Sequence, residues 1–242
     1  MSEASPDGDG FTSTRLRRIH ARLAAYDWAW ERENAAAIET NWERRRAAKP
    51  GLFDGPVLLS HHCAAREDVC EIAFFETRYS RFIALRDAGA PDRTVANAFA
   101  AIVPHTADGA VLLGQMGPHT ANAGQIYFPC GTPDPDDVRE GGVVDLAGSA
   151  GREFLEETGL SLPAGAEDEP WTLLRGEGQR AFLRPVRFDA SADALLARIA
   201  RHHARESEPE LSNVVAVSRR ADIDPERMPG FVRAYLARVF PN

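Results

Sequence analysis

Three carboxylates recur at helical spacing in Arg152-Glu153-Phe154-Leu155-Glu156-Glu157-Thr158-Gly159-Leu160. At about 100° of rotation per residue, Glu153, Glu156 and Glu157 share roughly a third of a helix circumference. Like charges at i, i+3 and i+4 repel, so such a face at a cleft is favoured when a cation sits among them. Hard oxygen ligands suit Mg²⁺ or Mn²⁺. Arg152 lies one turn before Glu156 and can pair with it, fixing that side chain and leaving Glu153 and Glu157 free for metal. Ala147, Ala150 and Phe154 share a second face that can pack on a sheet, and Gly159 supplies the helix end. Glu156-Glu157 alone would read as a solvated acidic face.

The elements that must position this helix follow from periodicity and breakers. Leu16, Ile19, Leu23, Tyr26 and Trp30 follow a helical repeat, and Asn34 to Ala48 continues as helix until Pro50-Gly51. Val57-Leu58-Leu59 and Cys70 to Phe75 are strand-like and suggest a hairpin. Arg81 to Ala88 makes a short helix, and Gly89-Ala90-Pro91-Asp92 marks a boundary. Strands are expected near Val95 to Val103 and Ala110 to Met116, joined through Ala107-Asp108-Gly109, with a third at Gln125 to Pro129. Beyond the acidic helix, Trp171 to Arg175, Ala181 to Phe188 and Asn213 to Val217 read as strands, and Ala192 to Ala204 and Gly230 to Phe240 as helices. The expected class is α+β, with an α/β extension over residues 1-92 and a second domain over 93-242.

The acidic segment resembles the second half of the Nudix box, G-x5-E-x7-R-E-U-x-E-E-x-G-U, where U is a bulky aliphatic residue; Phe154 alone departs and stays apolar. Upstream, Phe128-Pro129-Cys130-Gly131 resembles the entry to that box, with Asp137 in the place of its first glutamate. The segment from Val138 to Gly151 is about twice the length of the family spacer, an insertion that a surface loop tolerates at small entropic cost. The resemblance, carried by the chain from Arg93 onward, implies a mixed sheet between helices. It also implies hydrolysis of a nucleoside diphosphate linked to another moiety, such as ADP-ribose or a UDP-sugar, using Mg²⁺ or Mn²⁺. Carried over residue by residue, it makes Glu153, Glu156 and Glu157 metal ligands, Glu153 also the base, and the Gly131 carbonyl a further ligand. Relatives add an acid from outside the box; Glu206, Glu208 and Glu210 are the candidates, with Glu210 preferred. Glu153, Glu157 and Arg152 are thus the expected catalytic group. The loop Gly117 to Gly124 precedes the box entry and is placed to touch substrate, with His119, Asn122 and Phe128 as contacts. Relatives that hydrolyse coenzyme A carry an arginine in this region; none occurs from Val111 to Phe128, so coenzyme A is disfavoured. A nucleotide-binding module without turnover is the alternative function.

Composition excludes several other classes. The net charge of -8 argues against a protein that grips a nucleic-acid polymer. No apolar run approaches the ~20 residues of a membrane span, and Met1 to Gly10 lacks the apolar core of a leader. An odd number of cysteines, 3, points to a reducing cytoplasm rather than a disulfide framework. His61-His62-Cys63 with Cys70 lacks the spacing of a zinc site, Cys130 reads as a packing residue, and His202-His203 as partners of helix-terminal carbonyls. The extension caps the substrate or, alternatively, completes a larger core or a homodimer interface.

Overall fold

The computed structural model describes residues 10-241, so most of the segment read as lacking a leader lies outside it. Strands β1 (Thr12–Leu16) and β2 (Arg18–Leu23) lead into helices α1 (Ala29–Glu33) and α2 (Ala35–Ala48). The hairpin β3 (Pro56–Arg66) and β4 (Val69–Arg78) is followed by α3 (Tyr79–Asp87). Next come β5 (Asn97–His105), β6 (Val111–Met116), β7 (Ile126–Tyr127), β8 (Val138–Arg139) and β9 (Val143–Val144), then α4 (Leu146–Thr158). The remainder is β10 (Trp171–Gly176), β11 (Gln179–Arg187), α5 (Ala192–His203), β12 (Leu211–Val217) and α6 (Gly230–Val239).

Two mixed sheets result, and the class is α+β. The larger runs β1-β10-β11-β5-β6-β12, with β7 also on β6; the smaller runs β3-β4-β2-β9-β8. Strand β5 is central and pairs parallel with β11. It is buried on both faces, as its unbroken apolar run requires. The period of two sends Ala98, Ala100 and Ile102 to one side, where Phe154 of α4 and Leu195 of α5 pack. It sends Phe99, Ala101 and Val103 to the other, against Phe231 and Tyr235 of α6. The acidic helix therefore lies across the middle of the large sheet, fixed through Ala150 and Phe154.

Residues before Arg93 serve both sheets. Strand β1 pairs with β10, placing Leu16 opposite Trp171, while Trp28, Phe75, Phe82 and Leu85 form a cluster of their own. The helix expected over Leu16 to Trp30 is instead two strands and the start of α1. Its spacing of three and four is a coincidence of two short strands broken at Arg17, where Arg17 and Arg18 N–H groups both donate to the Asp68 carbonyl. The edges of β10 and β4 supply ladder partners that the local sequence does not announce. Leu23, assigned to an apolar helix face, is exposed.

The insertion after Asp137 also joins the small sheet. Strands β8 and β9 pair with each other, and β9 meets β2 through Arg22 and Val143. None of these residues borders the main cavity; the insertion packs on the extension through β2 instead. Among the described residues, no helix is long and apolar enough to cross a membrane.

Candidate active site

Both ends of α4 are sealed by local chemistry. Asp145 caps the N-terminus by accepting the Gly148 N–H at 2.8 Å. Gly159 ends the helix at φ 66°, donating its N–H to the Leu155 carbonyl. Two histidines of α5 reach across to the same end. The Nε2 atoms of His202 and His203 lie 2.8 and 2.7 Å from the carbonyl oxygens of Glu156 and Glu157. The expectation that these histidines meet terminal carbonyls holds, but the carbonyls belong to the acidic helix rather than their own.

The three glutamates share an arc that runs from solvent into the protein. Glu156 is exposed, with 62% of its side chain accessible, and Glu153 is mostly covered at 20%. Glu157 is buried, and its Oε2 accepts no hydrogen bond. Burial, reinforced by the negative charge of Glu210, Glu153 and Glu156, pushes the Glu157 carboxyl up to about 9. Glu153 also lies above the ordinary carboxylate range because of burial, despite the opposing pull of Arg152. Its carboxylate rests against Gly131, where an added Cβ would sit 3.2 Å from Oε2. The opposite helix face differs from expectation in one residue: Ala150 and Phe154 are buried, whereas Ala147 is exposed.

Arg152 plays a different part from the one its spacing suggests. Nη1 donates to Glu153 Oε1 at 2.7 Å and Nη2 to Asp137 Oδ1 at 3.0 Å, while Glu156 lies farther off at 3.6 Å. The guanidinium thus clamps Glu153 rather than leaving it free, and Glu156 is its weakest partner. Asp137 is buried, and its other oxygen accepts from Ser149 Oγ and from the Asp134 N–H. Local spacing does not encode that anchor, because Ser149 and Arg152 meet Asp137 only once it packs beside their helix.

A cavity of about 940 Å³ lies near α4 and is not lined by Glu153, Glu156 or Glu157; Gly131, against which the Glu153 carboxylate rests, belongs to its wall. Gly131, Cys130 and Glu210 border it at one end. Of the three outlying acids, the structure brings Glu210 to the site, its backbone oxygen accepting from Gly117 N–H at 2.8 Å. Glu206 pairs instead with His202, and Glu208 is exposed outside the cavity wall. Asn122 lines the cavity and donates to the Tyr127 hydroxyl at 3.2 Å. His119 is exposed outside the lining, its ring against Gly117. Phe128 cannot touch a substrate: it is fully buried, with its ring 5.5 Å from that of Tyr235. Its neighbour Tyr127 borders the cavity in its place. The sole lysine, Lys49 at the end of α2, donates to the Thr120 carbonyl and ties the extension to this loop.

Burial pushes Cys130 well above the ordinary thiol range, with Glu157, Glu153 and Glu210 adding to the effect, so it is a neutral packing group. His61 stacks on Tyr26, and Cys63 and Cys70 Sγ are 3.5 Å apart across the β3-β4 hairpin. Among the described residues, no three His, Cys, Asp or Glu side chains are grouped to hold an ion by themselves. Glu153, Glu157 and the Gly131 carbonyl are the oxygens that could receive one, with Glu156 and Glu210 nearby. An all-oxygen donor set containing a buried, unpartnered carboxylate atom fits a hard divalent cation. No family model matches the chain, and no curated protein matches it.

Proposed function

We propose that this protein is a Mg²⁺- or Mn²⁺-dependent pyrophosphohydrolase of the Nudix type, cleaving a nucleoside diphosphate linked to another moiety such as a sugar. The observation that carries this reading is Glu157. A buried carboxylate with an unsatisfied oxygen, in the field of Glu153, Glu156 and Glu210 and close to the part of the cavity wall formed by Cys130, Gly131 and Glu210, is unfavourable by itself and is relieved by a cation. Glu153, Glu157 and Gly131 would hold that ion, with Glu156 and Glu210 as outer acids. Bound there, such an ion would offset phosphate charge and lower the pKa of a water.

The protein's own groups account for the rest. Asp137 fixes Arg152, and Arg152 fixes Glu153, so the carboxylate is held in one orientation before substrate arrives. Glu153, its carboxyl held above the ordinary carboxylate range by burial, is the more basic for it and is suited to take a proton from the attacking water. His202 and His203 hold the last turn of α4, from which Glu156 and Glu157 project. The cavity takes the organic part of the substrate. Three free cysteines support a reducing compartment.

A ligand-holding module without turnover is the second reading, favoured by the 2.7 Å contact through which Arg152 already occupies Glu153. Incubation with ADP-ribose, UDP-sugars, NADH and dinucleoside polyphosphates, with and without Mg²⁺ and with products identified by mass, separates the two. Metal-dependent cleavage of the phosphoanhydride that disappears in Glu157→Gln is expected. Absence of cleavage across the panel, or a Glu157→Gln variant as fast as the parent, refutes the hydrolase.

A further inference from the structure

We infer that the end of the cavity remote from the carboxylates is a recognition site for a flat nitrogen heterocycle, read by the paired amides of Asn97 and Gln179. The inference rests on the cavity being the ligand site. It adds the orientation of the ligand: heterocycle toward the extension, phosphates toward α4.

The two amides are brought together by strand pairing. Asn97 opens β5 and Gln179 opens β11, and these parallel strands place the two residues opposite one another. Adjacent strands lie ~4.8 Å apart, comparable to the span between the outer hydrogen-bonding groups along one edge of a nucleobase. Both side chains line the cavity, together with Phe99, two residues on along the same face of β5.

What distinguishes the pair is unmet hydrogen bonding. Asn97 Oδ1 and Gln179 Oε1 are each buried and accept nothing from the protein. Buried amide oxygens are normally satisfied, and one left unmatched costs about 1–3 kcal/mol. As they stand both oxygens are turned away from the open space, and rotation about the soft terminal amide torsion would bring either one into the cavity to accept an N–H from a ligand. Each amide also carries an NH₂, so the pair can meet an edge where donors and acceptors stand side by side, as on a nucleobase.

The surrounding walls suit a planar ring. Phe99 has Phe231 edge-on at 5.2 Å, and Phe82 of α3 closes the cavity from the extension. The position is set by packing at the β10-β11 turn: Gly178, next to Gln179, lies so close to Ala90 that an added Cβ would be 2.8 Å from it. This is the extension side of the cavity. Gly131 and its contact with Glu153 mark the other.

The test is binding without turnover. Calorimetric titration in Ca²⁺, a hard cation that offsets the phosphate charge, with product analysis confirming that the ligands stay intact, uses UDP, GDP, CDP, ADP, and ribose 5-phosphate and glucose 1-phosphate as base-free probes and compares the full-length parent with Asn97→Leu and Gln179→Leu. At least one nucleoside diphosphate should bind the parent, and each leucine variant should bind it roughly tenfold or more weakly while melting no lower than the parent. Asn97→Asp, which keeps an acceptor, should retain more affinity than Asn97→Leu. Unchanged nucleotide affinity in both leucine variants overturns the inference. So does a loss confined to the sugar phosphates, or the failure of all four nucleotides to bind. Nucleotide binding with no cleavage in the substrate panel would sink the hydrolase and leave this site standing.

Discussion

Replacing Glu157 by Gln should stabilise the metal-free protein, although it removes a proposed metal ligand. Burial raises this carboxyl from 4.5 to about 9. The folded protein therefore keeps a proton that the unfolded chain releases above about pH 4.5, so stability falls as pH climbs from there toward about 9. At about 1.4 kcal/mol per pKa unit, the loss at pH 8 is at most about 5 kcal/mol, and relaxation with water entry leaves an expected 1–3 kcal/mol. Glutamine has the same shape and no such proton linkage. In EDTA at pH 8, Glu157→Gln should melt roughly 5 °C above the parent, with the gap closing toward pH 5. Added Mg²⁺ should raise the parent's Tm and leave the variant's unchanged. Calorimetric melting across pH 5–9, in EDTA and in Mg²⁺, reads all three effects. A variant that melts at or below the parent at pH 8 in EDTA would show that Glu157 is not held against its ionisation, and the argument for a cation would lose its footing.

Arg152→Ala should lower stability by about 2–4 kcal/mol in urea unfolding, because Asp137 is buried and loses its charged partner; a loss under ~1 kcal/mol would mark a mere surface pair. Gly159→Ala should be destabilised by about 2 kcal/mol or more, since an added Cβ would meet both a φ of 66° and the His202 ring at 2.5 Å; a neutral outcome by thermal melting would contradict that geometry. His105, held below the ordinary imidazole range by burial beside the Tyr235 hydroxyl, takes no proton where the unfolded chain does. Stability should therefore fall as pH drops below about 6.5, and His105→Gln should flatten that limb of the urea-unfolding profile. Shortening residues 138-144 should lower stability through the β9-β2 contact while leaving KM unchanged; a shifted KM would show that the insertion reaches the substrate.

Much of this protein is local in origin. The acidic helix with its Gly159 stop, the helix after Asn34, the β3-β4 hairpin and the turn into β6 were all legible from apolar period and breakers. Each depends on contacts a few residues apart, which a sequence records directly. The common arc of Glu153, Glu156 and Glu157 belongs with them. Their difference in character does not: Glu157 is buried and Glu156 exposed because the large sheet and α5 cover one edge of the arc and leave the other open. The pairing of Arg152 with Asp137, the hold of His202 and His203 on α4, the strands in place of a helix after Leu16 and the meeting of Asn97 with Gln179 are likewise tertiary. In each, the deciding partner lies far along the chain. It is brought near only when burial of the shared core offsets the entropy of closing the loop between them, and no local spacing encodes which partner that will be.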